Sequence, residues 1–169
     1  MASPPLGKGS RREQQKDGKS PPDPEMARRA LQKAGLSVHG GLPCFSAVVW
    51  LLGRSEAHRQ WLIADLDRYV IPPLALNQAW LFLREKKPVG FFSWAYLTSK
   101  AERGLIDGSR PIQADDWNAG DRRWSMDCIA PFGDLKPIFA YKKAMGFPNG
   151  SGRYLRLTPE GRIKRVHNF

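Results

Sequence analysis

The chain has 169 residues, and its 27 Lys and Arg outnumber its 16 Asp and Glu, which gives a net charge of +11 at pH 7. This length favours one domain with a substantial core, and no apolar run is long enough to cross a bilayer. The charge favours an acidic partner, whether nucleic acid, an anionic membrane or an acidic protein, although a basic solvated surface explains it equally well.

The first 40 residues are predicted to form a disordered, basic tail rich in Pro and Gly. Residues 1–24 cannot bury enough apolar surface to offset the entropy that ordering would cost. They also lack the apolar segment of a signal peptide, so we expect a soluble cytoplasmic protein. Residues 24–34 have the pattern of a short basic helix that ends at Gly35, and the domain is predicted to span residues 41–169.

Two helices are predicted at the start of the domain. Residues 44–52 are apolar and are followed by Gly53, a residue type that commonly ends helices. Ser55 is a suitable N-terminal cap for a second helix over residues 56–69, because its hydroxyl can accept a backbone N–H. The Pro72-Pro73 pair is expected to stop this helix.

The rest of the domain combines strands with polar segments and one further helix. Four segments have the β-branched and aromatic content of strands, namely residues 79–83, 89–97, 154–157 and 163–166. Another strand is predicted around Asp127 and a helix over residues 134–145, whereas residues 98–117 fit either a weak helix or a long loop. These elements predict an α+β fold in which helices flank a mostly antiparallel sheet.

Asp127 lies in an otherwise strand-like run, where carboxylates are rare and costly to bury. It is therefore expected at the edge of a cleft or beside a partner residue. An ion pair with Arg122 or Arg123 that has only a structural role would explain its position equally well. Side chains on a strand alternate between its two faces. The alternation predicts one apolar face, formed by Trp124, Met126, Cys128, Ala130 and Phe132. It predicts a second face, with a polar character, formed by Arg123, Ser125, Asp127 and Ile129.

His58 falls in the first turn of the predicted second helix. Trp61 and Leu62 follow it at helical spacing, which places the imidazole at the margin of an apolar surface. The residues alone support two interpretations, a packed histidine at the core edge or a proton acceptor paired with Asp127. The two cysteines have no metal-ligand spacing and are expected to be buried thiols, so no metal site is predicted.

Four segments, in this order, resemble the toxin-activating lysine-acyltransferases, the family that activates RTX protoxins such as hemolysin. They are Trp50-Leu51-Leu52 with residues 55–61, Ile71-Pro72 with Asn77-Gln78, Pro88-Val89 with residues 92–95, and residues 120–124 with Asp127 and residues 129–133. The resemblance covers residues 42–169. It implies a GNAT-like acyltransferase fold and transfer of a fatty acyl group from acyl carrier protein to internal lysines of an RTX protoxin in the cytoplasm.

The resemblance also assigns roles to residues of this chain. The catalytic histidine and aspartate of the family fall on His58 and Asp127, and a serine that matters in some members falls on Ser55. An asparagine of some members is Tyr69 here, so that role is not carried over. The family needs no bound cofactor or metal, because the thioester of the acyl donor is already activated. A homodimer is a further expectation from the family.

These residues suit the reaction that the resemblance implies. A lysine amine has a pKa near 10.4, so it must lose a proton before it attacks a thioester. His58 can take that proton, and Asp127 can orient the ring and stabilise the imidazolium. Direct transfer is the preferred interpretation, and an acyl-enzyme on Ser55 or His58 remains open.

The basic surplus gains a candidate partner from the resemblance, since acyl carrier proteins are acidic. The candidate docking residues are Arg59, Arg122, Arg123, Lys142 and Lys143. Three rival functions stay open: an acetyltransferase using acetyl-CoA, a nucleic-acid-binding module and a non-catalytic scaffold. The first lacks a convincing glycine- and arginine-rich pyrophosphate loop here, and the second lacks a recognisable binding motif.

Overall fold

A computed structural model describes residues 23–147, 152–157 and 163–168 of the chain. Its strands form one sheet in sequence order, namely β1 Leu36–His39, β2 Ala79–Arg84, β3 Lys87–Leu97, β4 Arg122–Ile129, β5 Arg153–Leu157 and β6 Ile163–Asn168. Neighbouring strands are antiparallel, except that β4 and β5 run parallel. The α+β class and the mostly antiparallel sheet are therefore confirmed.

Helices cover both faces of this sheet. Those in the described ranges are α1 Pro24–Lys33, α2 Phe45–Leu52, α3 Ile63–Tyr69, α4 Ile71–Ala75, α5 Ser99–Asp107 and α6 Leu135–Tyr141. A π-helical turn over Lys142–Gly146 continues α6, so the helix predicted over residues 134–145 is confirmed. The predicted helix over residues 44–52 is confirmed as α2.

The core has two sides, divided by the sheet. On one side, α2 and α4 bury leucine and valine side chains against Leu81, Phe91 and Ile129. On the other side, α1 and α6 pack against Phe82 and Phe92. Each fully buried side chain of this size stabilises the fold by about 1.5–3 kcal/mol, so both sides contribute to stability.

A third cluster extends the first side of the sheet towards α5. Phe91, Ala95 and Leu97 are separated by even numbers of positions along β3, which places all three on the same face of the sheet. The cluster also contains the fully buried rings of Trp117 and Trp124. The side of the sheet that faces α2, α4 and α5 is called the α2 side below, and the side that faces α1 and α6 is called the α6 side.

Residues 24–39 were predicted as part of the tail, and the structure shows that they are folded. Helix α1 packs Ala27 and Leu31 inward, and strand β1 pairs with β2 from Leu36 to His39. Four residues separate Ala27 from Leu31, so they share one helix face and bury it. The predicted basic helix is confirmed, but the tail boundary at residue 40 is too late, and residues 1–22 lie outside the described residues.

The second predicted helix is shorter than expected. Residues 56–60 form consecutive turns, and α3 begins only at Ile63, where the Asp65 side chain accepts the backbone N–H of Leu62. The Pro72-Pro73 pair lies in the first turn of α4, which proline tolerates because the first N–H groups of a helix have no intrahelical partner. The ambiguous segment 98–117 contains α5, which Thr98 caps by accepting the N–H of Ala101.

Strands β5 and β6 pair antiparallel, as the predicted terminal hairpin requires. The turn expected between them, around residues 159–161, lies outside the described residues. Their parallel neighbour β4 pairs with β5 only where Trp124 lies opposite Arg153. Within the described ranges, the part of β4 that follows Trp124, including Asp127, is thus not paired with β5.

Candidate active site

His58 is positioned by a tight turn that follows α2. The carbonyl of Ser55 accepts the backbone N–H groups of both His58 and Arg59, at 3.0 and 2.9 Å. The His58 carbonyl in turn accepts the N–H of Trp61, and the two rings meet edge to face with centroids 4.7 Å apart. Ser55 therefore starts a turn instead of a helix, and the imidazole is held against a large aromatic wall.

Asp127 is positioned by a β-bulge in β4. Phe92 lies opposite Cys128 and Trp94 lies opposite Ser125, so two residues of β4, Met126 and Asp127, face the single residue Ser93. The Ser93 hydroxyl accepts the backbone N–H of Asp127 at 3.2 Å, which satisfies a donor that the bulge removes from the ladder. The bulge is the local feature that directs the carboxylate.

The bulge overturns the predicted alternation along β4. Trp124 and Met126 pack on the α2 side, and Asp127 reaches His58 on that same side. Cys128 instead packs with the cluster on the α6 side. The prediction that Trp124, Met126 and Cys128 share one face is wrong, because an extra residue in a strand reverses the facing of every residue after it.

The imidazole of His58 contacts Asp127 across 69 positions of sequence. Its Nε2 lies 3.2 Å from Oδ1 of Asp127, and its Nδ1 lies 2.7 Å from Oγ of Ser55. The His58 and Asp127 side chains are only 14% and 19% exposed. The structure thus brings Ser55, His58 and Asp127 into one chain of polar contacts.

The two contacts of the ring assign its tautomer. An ionised carboxylate only accepts hydrogen bonds, so Nε2 of His58 carries the proton that faces Asp127. In the neutral ring, Nδ1 is then the acceptor, and it receives the hydroxyl proton of Ser55. The basic nitrogen of His58 therefore points at Ser55, and the carboxylate of Asp127 lies behind the ring.

Two concave surfaces flank His58. One is a cavity of about 160 Å³ beside Asp127, lined chiefly by apolar side chains, namely Trp61, Tyr69, Leu105, Trp124, Met126 and Leu155. The other is a shallow groove of about 200 Å³, in which His58 and Arg59 lie beside Leu62 and Ile63. The last two side chains are 71% and 86% exposed, so this rim is open to a partner.

The cavity walls include residues that the sequence pattern did not single out. Leu105 comes from α5 and Leu155 from β5, and neither sequence neighbourhood shows a functional motif. Tyr69 ends α3, and its ring packs on Trp61 with centroids 5.2 Å apart. Only the arrangement in space shows that these side chains surround Asp127.

The five basic residues predicted to dock acyl carrier protein differ in their access to solvent. Lys142 is only 2% exposed, and burial lowers its pKa to about 8, so it is not available for docking. The guanidinium of Arg123 donates to the Gly146 carbonyl and to the Tyr96 hydroxyl, and that of Arg122 donates to Glu102. Two of the five are exposed, Arg59 beside His58 and Lys143 next to the buried lysine.

Cys128 is a poor candidate for the nucleophile. It packs on the α6 side of the sheet, away from His58 and Asp127. Burial raises the pKa of its thiol to about 11, so the thiolate is scarce at neutral pH. Within the described ranges, no group of three or more His, Cys, Asp or Glu side chains could hold a metal ion, and no helix is long and apolar enough to span a membrane.

Comparison with known proteins gives a consistent result. Residues 41–169 match the family model described as "HlyC: RTX toxin acyltransferase family". The chain is 36% identical over 129 residues to the RTX-I toxin-activating lysine-acyltransferase ApxIC of Actinobacillus pleuropneumoniae, which covers 76% of this chain and 74% of that protein. It is 32% identical over 134 residues to the protein-lysine myristoyltransferase HlyC of Escherichia coli, covering 79% and 78%.

A search of solved structures finds the loading GNATL domain of CurA from Lyngbya majuscula. The TM-score is 0.49 at 5% identity, over 72% of this chain and 65% of that one.

Proposed function

Because the chain belongs to the RTX toxin acyltransferase family, we propose that it transfers a fatty acyl group from acyl carrier protein to internal lysines of an RTX protoxin in the cytoplasm. One observation carries the proposal beyond family membership. The imidazole of His58 contacts the carboxylate of Asp127 and the hydroxyl of Ser55, and the dyad adjoins an apolar cavity. Proton transfer and a place for a hydrocarbon chain are the two things that this reaction needs.

The proposed reaction begins with proton removal from the acceptor lysine. Only the neutral amine attacks, and near pH 7 that form is rare because the lysine pKa is near 10.4. Nδ1 of His58 is the acceptor nitrogen, and Ser55 lies 2.7 Å in front of it. The Ser55 hydroxyl can therefore accept the amine proton while it passes its own proton to Nδ1.

The transfer step then exchanges a thioester for an amide. The amine nitrogen forms a bond to the acyl carbon, and the carbon–sulfur bond breaks. The sulfur of the carrier leaves as a thiolate, and the bonded nitrogen releases its second proton to solvent as the amide forms. The thiolate takes up the proton held by the imidazolium, which returns His58 to its neutral form. Asp127 stabilises the imidazolium between these events, and general base catalysis of this kind contributes about 10²–10⁴-fold to a rate.

A second route through the same three groups is favoured by the short Ser55–His58 contact. A nucleophile at hydrogen-bond distance from a base, with the base oriented by a third group, is the arrangement that activates catalytic serines. In this route Nδ1 of His58 takes the hydroxyl proton of Ser55 as Oγ attacks the thioester. The carbon–sulfur bond breaks, the carrier leaves as a thiol with that proton, and Ser55 carries the acyl group as an ester. The neutral lysine amine then attacks this ester and passes one proton to His58, the carbon–oxygen bond breaks, and the proton returns to Oγ of Ser55. Both routes give the same product and differ only in the covalent intermediate.

The proposed donor explains part of the positive charge around the site. Arg59 is exposed and lies on the rim of the groove next to His58. An acidic carrier protein that delivers its thioester to His58 must approach this rim. Arg59 is therefore the docking candidate that its position supports best, and Lys143 is the other exposed member of the predicted set.

A reconstituted reaction tests the proposal. The purified chain is mixed with an RTX protoxin and with either acyl-loaded carrier protein or acetyl-CoA, and peptide mass spectrometry locates any acyl-lysine. We expect amide-linked fatty acyl groups on protoxin lysines with the carrier donor only. Acetylation from acetyl-CoA without acylation from the carrier would support the rival acetyltransferase. Strong salt-dependent binding to DNA with no acylation would support the nucleic-acid-binding module.

A further inference from the structure

Large apolar side chains are exposed on α2, on α6 and on the turn that joins β4 to α6. They are 36–46% exposed and are called the apolar row below, namely Trp50, Phe132, Leu135 and Phe139. The rings of Trp50 and Phe132 lie with centroids 6.3 Å apart. Leu135 and Phe139 are four positions apart in α6, so they share one face of that helix. Apolar side chains that are exposed together in this way mark a surface for interaction.

Basic side chains accompany the apolar row. The Arg54 guanidinium lies 3.4 Å from the centroid of the Trp50 ring, and the Lys87 ammonium lies 4.9 Å from that of the Phe132 ring. The attraction between a cation and a ring face keeps each charge beside an apolar group. Two further lysines are exposed in α6 and just after it, namely Lys136 and Lys143. The surface is therefore both apolar and basic along its length.

Acidic side chains offset little of this charge. The segments that carry the apolar row, residues 50–54 and 131–143, contain one acidic residue, Asp134, which is buried and forms an ion pair with Arg84. In the exposed turn between β2 and β3, the charge of Glu85 is offset by the lysine that follows it. A partner that complements this surface must therefore combine apolar with anionic groups.

The shape of the surface favours a lipid bilayer over an acidic protein. The apolar row lies on a turn and on the outward faces of two helices, and its residues line neither the cavity beside Asp127 nor the groove beside His58. Helices of partner proteins lay their apolar side chains into grooves, whereas projecting aromatic and basic side chains enter the headgroup region of a membrane. We propose that the apolar row and its four basic neighbours bind the surface of an anionic phospholipid bilayer.

The proposed contact is peripheral. Helix α6 has seven residues, which is too short to cross a bilayer, so its exposed face lies at the level of the headgroups. Each basic side chain near an anionic surface is expected to strengthen binding about fivefold, and this attraction falls off within about 10 Å at about 0.1 M salt. A lysine that is remote from the apolar row should therefore contribute little.

The first pair of test variants places glutamate at the first residue of a helix. Leu135 begins α6 and Ile63 begins α3, and both side chains are exposed. Glutamate is favourable in the first turn of a helix, where the helix dipole is positive, so both variants are expected to fold. Leu135→Glu removes an apolar group from the row, whereas Ile63→Glu removes a more exposed apolar group that lies in the groove beside His58.

The second pair reverses the charge of the second residue of a helix. Lys136 holds this position in α6 and Lys100 holds it in α5, and both are exposed. Lys136→Glu and Lys100→Glu change the net charge of the chain by the same amount. Lys100 follows the end of β3, whereas Lys87 of the proposed surface begins this strand of 11 residues. The strand is about 35 Å long, which is beyond the range of the screened attraction.

Binding is measured by co-sedimentation of the full chain with vesicles of phosphatidylglycerol and phosphatidylcholine in equal parts, and with vesicles of phosphatidylcholine alone. We expect the unmodified chain to bind the anionic vesicles only. Leu135→Glu and Lys136→Glu should weaken this binding about tenfold or more, and their matched controls should stay within about twofold of the unmodified chain. The proposal is wrong if the unmodified chain binds no vesicles or if the members of each pair bind equally. If Leu135→Glu does not fold, the second pair decides alone.

Other occupants of the apolar row would give different results. Sedimentation velocity detects a second copy of the chain, and titration calorimetry with unloaded carrier protein detects an acidic protein partner. Suppose that vesicles are not bound and that Leu135→Glu, but not Ile63→Glu, breaks up an assembly of copies or loses carrier binding. The apolar row would then be a protein interface, and the lipid assignment would fail. Vesicle binding requires neither an acyl donor nor a protoxin, so its outcome is independent of the proposed function.

Discussion

The two sides of strand β4 both enclose ionisable groups, and these groups differ in their access to solvent. On the α2 side, His58 and Asp127 are partly exposed and adjoin an open cavity. On the α6 side, the ammonium of Lys142 is surrounded by the rings of Phe92, Phe139, Phe147 and Tyr154, with centroids 4.4–5.7 Å away. The larger pKa shifts, those of Lys142 and Cys128, lie on the closed side.

This difference shows that a shifted pKa is not sufficient to identify a catalytic group. Burial alone lowers the pKa of a lysine and raises that of a thiol, whether or not a substrate can reach them. Shifted values mark a functional site only when they occur in a cleft. In this protein the cavity and the Ser55–His58–Asp127 contacts identify the candidate site, and the perturbed lysine and cysteine belong to the packing of the opposite side.

The strongest test of the comparison replaces His58. We expect His58→Ala to reduce the rate of protoxin acylation by about 10²–10⁴-fold, because the base that deprotonates the lysine is lost. The rate is measured by mass spectrometry of the acylated lysine at limiting time. His39→Ala is the matched control, since His39 is exposed on β1 and its ring contacts the Ser37 hydroxyl, and it should retain full activity. Full activity in His58→Ala would show that the active site is not on the α2 side.

Asp127→Asn is expected to have the next largest effect, a loss of about 10²-fold or more. The amide keeps the size of the side chain and leaves the backbone N–H bond to Ser93 intact, but it no longer stabilises the imidazolium by charge. The rate is again measured by mass spectrometry of the acylated lysine. Asp121→Asn, at an exposed position that precedes β4, is the control. Equal rates in the two variants would assign Asp127 a structural role only.

Ser55→Ala distinguishes the two proposed routes. For direct transfer we expect a loss of about tenfold, which is the value of one hydrogen bond in the proton path. The second route requires the hydroxyl as nucleophile, so its loss would equal that of His58→Ala. A hydroxylamine-sensitive acyl ester on Ser55, trapped when the donor is supplied without protoxin, would decide for the second route and against direct transfer.

Local sequence patterns predicted those helices and strands of the fold that form from neighbouring residues. The short basic helix predicted over residues 24–34, the apolar α2 and the strand content of β2 and β3 all correspond to the structure. The boundary of the tail was misplaced because β1 has only four residues and gains its stability from pairing with β2, which no local pattern reveals.

The candidate site was predicted in its residues but not in its local geometry. Family resemblance named His58 and Asp127, and the structure brings them within 3.2 Å. The alternation argument placed Asp127 on the wrong face, because a bulge depends on the partner strand and leaves no sequence signal in β4. The cavity wall could not be predicted, since Leu105 and Leu155 meet only in the folded protein.

The smallest expected effect concerns stability on the α6 side. Burial lowers the pKa of Lys142 to about 8 from an ordinary value of 10.5, so between these values the unfolded chain binds more protons than the folded one. The free energy of unfolding therefore rises with pH above about 8, by about 1 kcal/mol from pH 8 to 9 for this group alone. The raised pKa of Cys128 opposes the rise above about pH 9, because the folded state then keeps the proton that the unfolded thiol loses.

Urea denaturation at pH 8 and pH 9 measures this rise, and Lys142→Met removes the titrating group while it keeps a side chain of similar length. We expect the rise in the free energy of unfolding to disappear in Lys142→Met and to persist in Lys143→Met, whose ammonium is exposed. Acylation should stay within about twofold of the unmodified chain in both variants, since the perturbed lysine faces away from His58 and Asp127. A large loss of acylation in Lys142→Met alone would break the division between the two sides of β4, because it would give the closed side a part in the reaction.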